Sequence, residues 1–105
     1  MYIQIVTFEL AGVPDADYRR RAEDHAPKFA AMPGLLQKVW LGDAASNTYG
    51  GVYVWSTHEA LQQYENSEVF AALKANPALR NVTSRGLEVI DEATAITSDL
   101  LRPVQ

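Results

Sequence analysis

The chain is expected to be an α+β protein of ferredoxin-like βαββαβ plan, a four-stranded antiparallel sheet with its helices on one face. Three observations predict it. Apolar, β-branched stretches and helical stretches alternate in the order strand, helix, strand, strand, helix, strand. The 105 residues allow one core and no second domain, so residues 1–105 read as a single domain. The strands are also apolar on both faces, as in a sheet covered on both sides.

The first strand is residues 2–9, YIQIVTFE, β-branched and aromatic with one polar interruption at Gln4. Gly12-Val13-Pro14-Asp15 is a loop leading into a helix, with Pro14 near the first turn and Asp15 as the cap. Over residues 15–32, Tyr18, Ala22, His25, Phe29 and Met32 fall on one helical arc. Arg19, Arg20 and Arg21 are consecutive, which scatters them around the axis as a solvated face. Pro27 lacks the amide hydrogen that would bond Glu23, so a kink or break is expected near 23–27. Pro33-Gly34 then ends the element.

Residues 35–42, LLQKVWLG, form the second strand, and the polar run from Asp43 to Thr48 is a hairpin link. Residues 51–55, GVYVW, form the third strand. Ser56 and Glu59 have capping-box spacing ahead of a helix that carries Leu61 and Tyr64. Asn66-Ser67 interrupts that helix, because Val69 and Leu73 are out of phase with Leu61 and Tyr64, and Asn76-Pro77 closes the second piece. The last strand is expected near 82–91, with residues 92–105 as an arm or loose tail.

Parity along the strands carries the main inference. Val52 and Val54 point away from Tyr53 and Trp55, and Ile3 and Ile5 away from Tyr2, Val6 and Phe8. In the second strand Leu35, Val39 and Leu41 oppose Leu36 and Trp40. Two helices cover one side of such a sheet, and the other would expose more than the ~400 Å² of apolar surface that lone domains avoid. A homodimer packed through the sheet face is therefore expected, each large buried side chain contributing roughly 1.5–3 kcal/mol against an association cost of ~4–15 kcal/mol.

Composition narrows the function. A net charge of −4 argues against tracking a nucleic-acid backbone. The lack of cysteine removes thiol chemistry, thiolate metal sites and disulfides. No stretch has the ~18 apolar residues of a membrane span. Met1-Tyr2-Ile3-Gln4 has no basic start and Glu9 interrupts the first apolar run, so no signal peptide is expected and the compartment is expected to be cytoplasmic. Asn81-Val82-Thr83 fits a glycosylation acceptor, which matters only in a secreted chain. His25 and His58 lack metal-ligand spacing, so no metal is expected, and no G-x-G-x-x-G or P-loop is present to hold a nucleotide cofactor.

The run from Pro33 to Trp40, PGLLQKVW, followed by Gly50 to Trp55, GGVYVW, and then Glu59-Ala60-Leu61 and Tyr64, resembles the YdhR-like mono-oxygenases of the dimeric α/β barrel superfamily. It covers about a third of the chain, residues 33–65, and consists mostly of apolar residues and glycine. The resemblance implies oxygenation of a small aromatic or polyketide-like compound without metal or flavin. Members of the superfamily include haem-degrading enzymes, isomerases, mutarotases and ligand-binding modules, and fold alone does not choose among them.

Such chemistry needs a dry pocket, a base and groups that hold a substrate anion. His25, flanked by Ala22, Ala26 and Phe29 on the apolar arc, is the candidate base. The competing reading is a part-buried histidine bonded to a carbonyl freed by Pro27. Phe8, Phe29, Trp40, Tyr53, Trp55 and Tyr64 are the candidate substrate-binding aromatics, two or three of them expected on a pocket wall and the rest in core and dimer packing. Parity puts Tyr53 and Trp55 on one side with a shared fate. Ala22, Ala26 and Ala30 leave space between helix and sheet. His58 reads as an exposed first-turn residue, though its position after Trp55 makes it the conceivable axial ligand of a haem degrader.

Overall fold

The computed structural model describes residues 1–99. Its elements are β1 (Tyr2–Leu10), α1 (Asp15–Ala30), β2 (Leu35–Asp43), β3 (Thr48–Trp55), α2 (His58–Glu65), α3 (Glu68–Ala75), β4 (Leu79–Glu88) and α4 (Asp91–Thr97). The four strands form one antiparallel sheet in the order β2-β3-β1-β4, the ferredoxin-like arrangement, with the second helical unit split in two.

The register sorts the sheet into two faces. Gln4, Val6, Phe8 and Leu10 of β1 are buried on the same side as Tyr49, Tyr53 and Trp55 of β3, and there meet Phe29, Leu61, Tyr64 and Phe70 from the helices. The opposite face carries Ile3, Ile5, Val52 and Val39, with Ile5 paired to Val52 and Val52 to Val39. Val39 is 53% exposed, Leu41 37% and Leu87 45%, so the face is apolar and largely open within one chain over β2, β3 and the first half of β1, although Val54 is covered and Arg85, Thr83 and Thr7 make its far side polar.

Two glycines are required by geometry. A Cβ on Gly50, whose φ is +148°, would collide with the Val6 carbonyl in the neighbouring strand. One on Gly34, at φ +79°, would sit 2.6 Å from the Ala60 Cβ of α2. Both positions let backbone or helix approach closer than a side chain permits.

Several local expectations are corrected. The helix runs unbroken from Asp15 to Ala30 with Pro27 inside it. The carbonyl that Pro27 leaves unbonded belongs to Glu23, and both residues lie on the exposed side of the helix, where losing one intrahelical bond costs least. Pro14, not Asp15, occupies the cap position. Asp15 instead accepts hydrogen bonds from the Tyr49 hydroxyl and, at 2.8 Å, from Arg19 Nε. Thr57 rather than Ser56 caps α2, its Oγ1 accepting from the Ala60 amide at 3.1 Å. The break at 66–67 stands, with Ser67 capping α3 through the Phe70 amide.

In β2, a bulge between Leu35 and Gln37 reverses the alternation, so Leu35 packs into the core on the side of Trp40 instead of opposing it. β4 begins at Leu79, opposite Leu10, and ends at Glu88, opposite Tyr2, three residues earlier at each end than the expected 82–91. A second bulge lies between Thr7 and Glu9 of β1, and Asn81 adopts φ +54° in the facing strand. Part of the expected tail, Asp91–Thr97, is helical, with Ile96 86% exposed; residues 100–105 lie outside the described residues. Among the described residues no helix is long and apolar enough to cross a membrane.

Candidate functional site

One end of the layer between helices and sheet is sealed. There Trp55, 1% exposed, donates from Nε1 to Gln4 Oε1 at 2.9 Å. Gln4 Nε2 donates to Ser84 Oγ, which donates to Glu65 Oε2, each at 2.9 Å. Tyr64 stacks at a tilt on Trp55 with centroids 5.3 Å apart, and its hydroxyl lies 3.3 Å from that of Tyr53. Each buried polar side chain at this end is therefore partnered.

The other end opens into a cavity of about 280 Å³. Phe8 and Leu10 of β1, Trp40 of β2 and Tyr53 of β3 form its floor, and Tyr18, Ala22, His25 and Phe29 of α1 form one wall. Val69 and Leu73 of α3 face them. Their shift out of phase with Leu61, caused by the break at Asn66-Ser67, is what turns them toward this space. The volume is just below the ~300–1,000 Å³ that ligand sites usually occupy, which suits a small ligand.

Of the aromatic candidates, Phe8, Phe29, Trp40 and Tyr53 line the cavity. Trp55 and Tyr64 do not. They fill the sealed end, so Tyr53 and Trp55 share a face but not a fate, their rings lying 6.1 Å apart and nearly parallel. Position along the strand, not parity, separates them. His25 lines the cavity but is an exposed residue, against the expectation of burial, and makes no hydrogen bond to a neighbouring carbonyl among the described residues. Ala22 lines the cavity, Ala26 faces a separate recess beside Leu41 and Gly42, and Ala30 is exposed. His58 stacks on Tyr2 with centroids 4.5 Å apart and is not on the cavity wall, so it is not positioned as an axial ligand there.

Sequence reasoning missed Lys38. Its Nζ lies 3.3 Å from the ring centre of Phe29, 3.4 Å from that of Trp40 and 4.5 Å from that of Tyr53. Among the described residues it has no hydrogen-bond or ion-pair partner, and it lines the cavity. Burial brings its ammonium from the ordinary lysine value down to about 7. The three ring faces are the compensation left to the charged form, worth about 0.5–2 kcal/mol per contact. A signal was present: with Lys38 two residues before Trp40 on a strand, parity alone puts both on the helix side. Burial also raises the neighbouring phenols, pushing Tyr18 up to about 12 and Tyr53 higher still, so these hydroxyls stay protonated.

The cavity's charge is one-sided. Arg21, Lys28 and Lys38 line it, and no aspartate or glutamate does, in a chain that is net negative. Among the described residues no group of three or more His, Asp or Glu side chains is arranged to hold a metal ion.

Residues 3–99 match the family described as "Putative mono-oxygenase ydhR". The chain belongs to the YdhR mono-oxygenase family. No curated protein matches it. Among solved structures, this YdhR-family chain is similar to the haem degrader MhuD of Mycobacterium tuberculosis, at 23% identity and TM-score 0.68, covering 86% of this chain and 96% of that one. It is likewise similar to a variant of SnoaB, a cofactor-independent oxygenase of Streptomyces nogalater, at 21% identity and TM-score 0.66, covering 85% and 92%. A protein of Deinococcus radiodurans described as a "putative antibiotic biosynthesis monooxygenase" matches at 16% identity and TM-score 0.69, covering 85% and 92%. At these identities the likeness establishes the fold. A haem degrader and a cofactor-free oxygenase both share it with this YdhR-family chain, so the chemistry must be argued from the cavity.

Proposed function

We propose that this protein is a cofactor-independent mono-oxygenase whose substrate is a small aromatic or polyketide-like molecule, bound in the cavity between helices and sheet. The observation that carries the reading is the cavity itself, with Phe8, Phe29, Trp40 and Tyr53 on its surface and His25 at its wall, in a chain of a mono-oxygenase family. Flat apolar walls suit stacking of a ring. Removing a proton from an electron-rich ring leaves an anion able to pass an electron to dioxygen. A reaction that turns a CH₂ group into C=O and releases one water draws all four electrons that dioxygen accepts from the substrate and needs no other reductant. In this reading His25 takes the proton.

The test is oxygen uptake on a panel of phenols and hydroquinones. Turnover is expected in the wild type, falling at least about tenfold in His25→Ala, the lower range of what one general base contributes. Equal rates discard His25 as the base; binding with no oxygen consumed by any substrate discards the oxygenase.

The working unit in this proposal is a homodimer closed through the uncovered sheet face. Ile3, Ile5, Val39 and Val52 form its centre, with Leu41 and Leu87 toward the outer strands. Light scattering is expected to give twice the chain mass for the wild type and one chain mass for Val52→Asp, which buries a carboxylate against Ile5 and Val39. A wild-type mass of one chain removes the dimer.

A further inference from the structure

We propose that the cavity selects small aromatic molecules carrying one anionic oxygen group, a carboxylate or a phenolate, and that Lys38 is the binding residue that holds that group. The inference rests on the cavity being the ligand site, as in the reading above, but not on any reaction with oxygen.

Three observations carry it. The Lys38 ammonium is surrounded by the faces of Phe29, Trp40 and Tyr53 and has no anionic or hydrogen-bonding partner among the described residues. Lys38 is half-buried, and cations drawn out of water are ordinarily paired, so this one has an unfilled requirement. Second, no protein carboxylate lines the cavity to fill it, and the other charged groups there, Arg21 and Lys28, are also cationic. Third, the remaining lining is ring and aliphatic surface, which accepts the flat apolar body of a ligand whose single charge goes to the lysine. A neutral aromatic would leave the ammonium as it is. An aromatic oxyanion would pair it in a poorly hydrated place, where charge-assisted hydrogen bonds are strongest.

The pairing has a consequence in protons. Burial lowers Lys38 to about 7, so above neutrality much of the free protein holds it as the amine. An oxyanion favours the ammonium, and its binding must then draw a proton from solution. The titratable and charged groups facing this space are Tyr18, Arg21, His25 and Lys28 from α1, Tyr53 from β3, and Tyr64 of α2 behind Tyr53. From β1 and α3 only uncharged side chains reach it.

The test measures binding of naphthoate, of neutral naphthalenemethanol and of nitrophenol to the full-length protein by titration calorimetry. In the wild type near pH 6, naphthoate is expected to bind at least about tenfold more tightly than the alcohol, a difference of about 1.4 kcal/mol. In Lys38→Met the two are expected within about threefold of each other, with alcohol binding retained. Nitrophenol bound as its yellow anion at a pH where the free molecule is mostly neutral assigns the phenolate as an acceptable group; bound neutral, it restricts the site to carboxylates.

A wild type that binds naphthoate no better than the alcohol overturns the proposal. So does a preference that survives Lys38→Met and disappears in the Arg21→Gln/Lys28→Gln double variant. Should Lys38→Met not fold, the wild type still decides. Near pH 8, naphthoate binding compared in buffers of different ionisation heat is expected to take up protons in the wild type and none in Lys38→Met. Uptake that persists in Lys38→Met overturns the assignment to Lys38. Failure of the oxygenase reading looks different: naphthoate is preferred and no oxygen is consumed from any substrate.

Discussion

The two ends of the covered layer are built from the same materials and do opposite things. At the sealed end, Trp55, Tyr64 and Gln4 fill the space between β1, β3 and α2, and each polar atom finds a partner in the series Trp55–Gln4–Ser84–Glu65. At the open end, Phe29, Trp40 and Tyr53 leave a cavity, and the half-buried ammonium of Lys38 has ring faces around it and no ionic or hydrogen-bonding partner among the described residues. A satisfied polar network stabilises and specifies a core. An unsatisfied one beside a cavity has capacity left for something outside the chain. The contrast locates function more sharply than the aromatic count does, since aromatic rings are dense at both ends.

The contrast is broken most severely at the sealed end. Trp55→Ala removes a side chain that is 1% exposed and strands the Gln4 carbonyl oxygen it bonds. A loss of about 3–5 kcal/mol in unfolding free energy is expected by urea titration. A loss under about 1 kcal/mol would mean that the end is not sealed as described. Gln4→Leu keeps the volume but leaves the Trp55 N–H without its acceptor, and an expected loss of about 1–3 kcal/mol follows from one buried donor unmade. Neither change is expected to alter the affinity of the open end for an aromatic ligand by more than about threefold, because neither residue lines the cavity.

How much of this could be read from the chain itself depends on the range of the interaction. Element order, the hairpin after Asp43 and the break at Asn66-Ser67 are written in local patterning, and the structure agrees with them. The doubly apolar sheet was legible for the same reason, since strand parity is a two-residue property. What failed needed knowledge of neighbours. The bulge at Leu35/Gln37 depends on β3. Pro27 sits in an unbroken helix at a place where it and Glu23 are both exposed, which the sequence does not say. β4 starts and stops where β1 offers partners. In the site, Trp55 and Tyr53 are indistinguishable by parity and separated only by what covers each end. Lys38 is hard to single out because lysine usually reads as surface; its two-residue spacing from Trp40 is the available signal.

The subtlest test of the comparison is the dependence of stability on pH. The folded state holds Lys38 at about 7 while the unfolded chain holds it near the ordinary value of 10.5. Between those values the unfolded state carries the extra proton, so stability rises as pH rises through this window and is lowest, for this group, below 7. The rise ends near pH 10, where Tyr18, Tyr53 and Tyr64, all held above their ordinary values by burial, begin to favour the folded state less with each further step. Tyr64 of the sealed end is held above its ordinary value, so the slope that Lys38 produces between about pH 7 and 9 is a property of the open end. Urea midpoints measured across that interval are therefore expected to increase in the wild type and to flatten in Lys38→Met, with the variant at least as stable as the wild type at about pH 6, where the buried charge costs most. A slope that persists in Lys38→Met would assign it to another group and leave the lysine fully hydrated in the folded protein. A flat wild-type curve would show that the three rings alone hold the ammonium as well as water does.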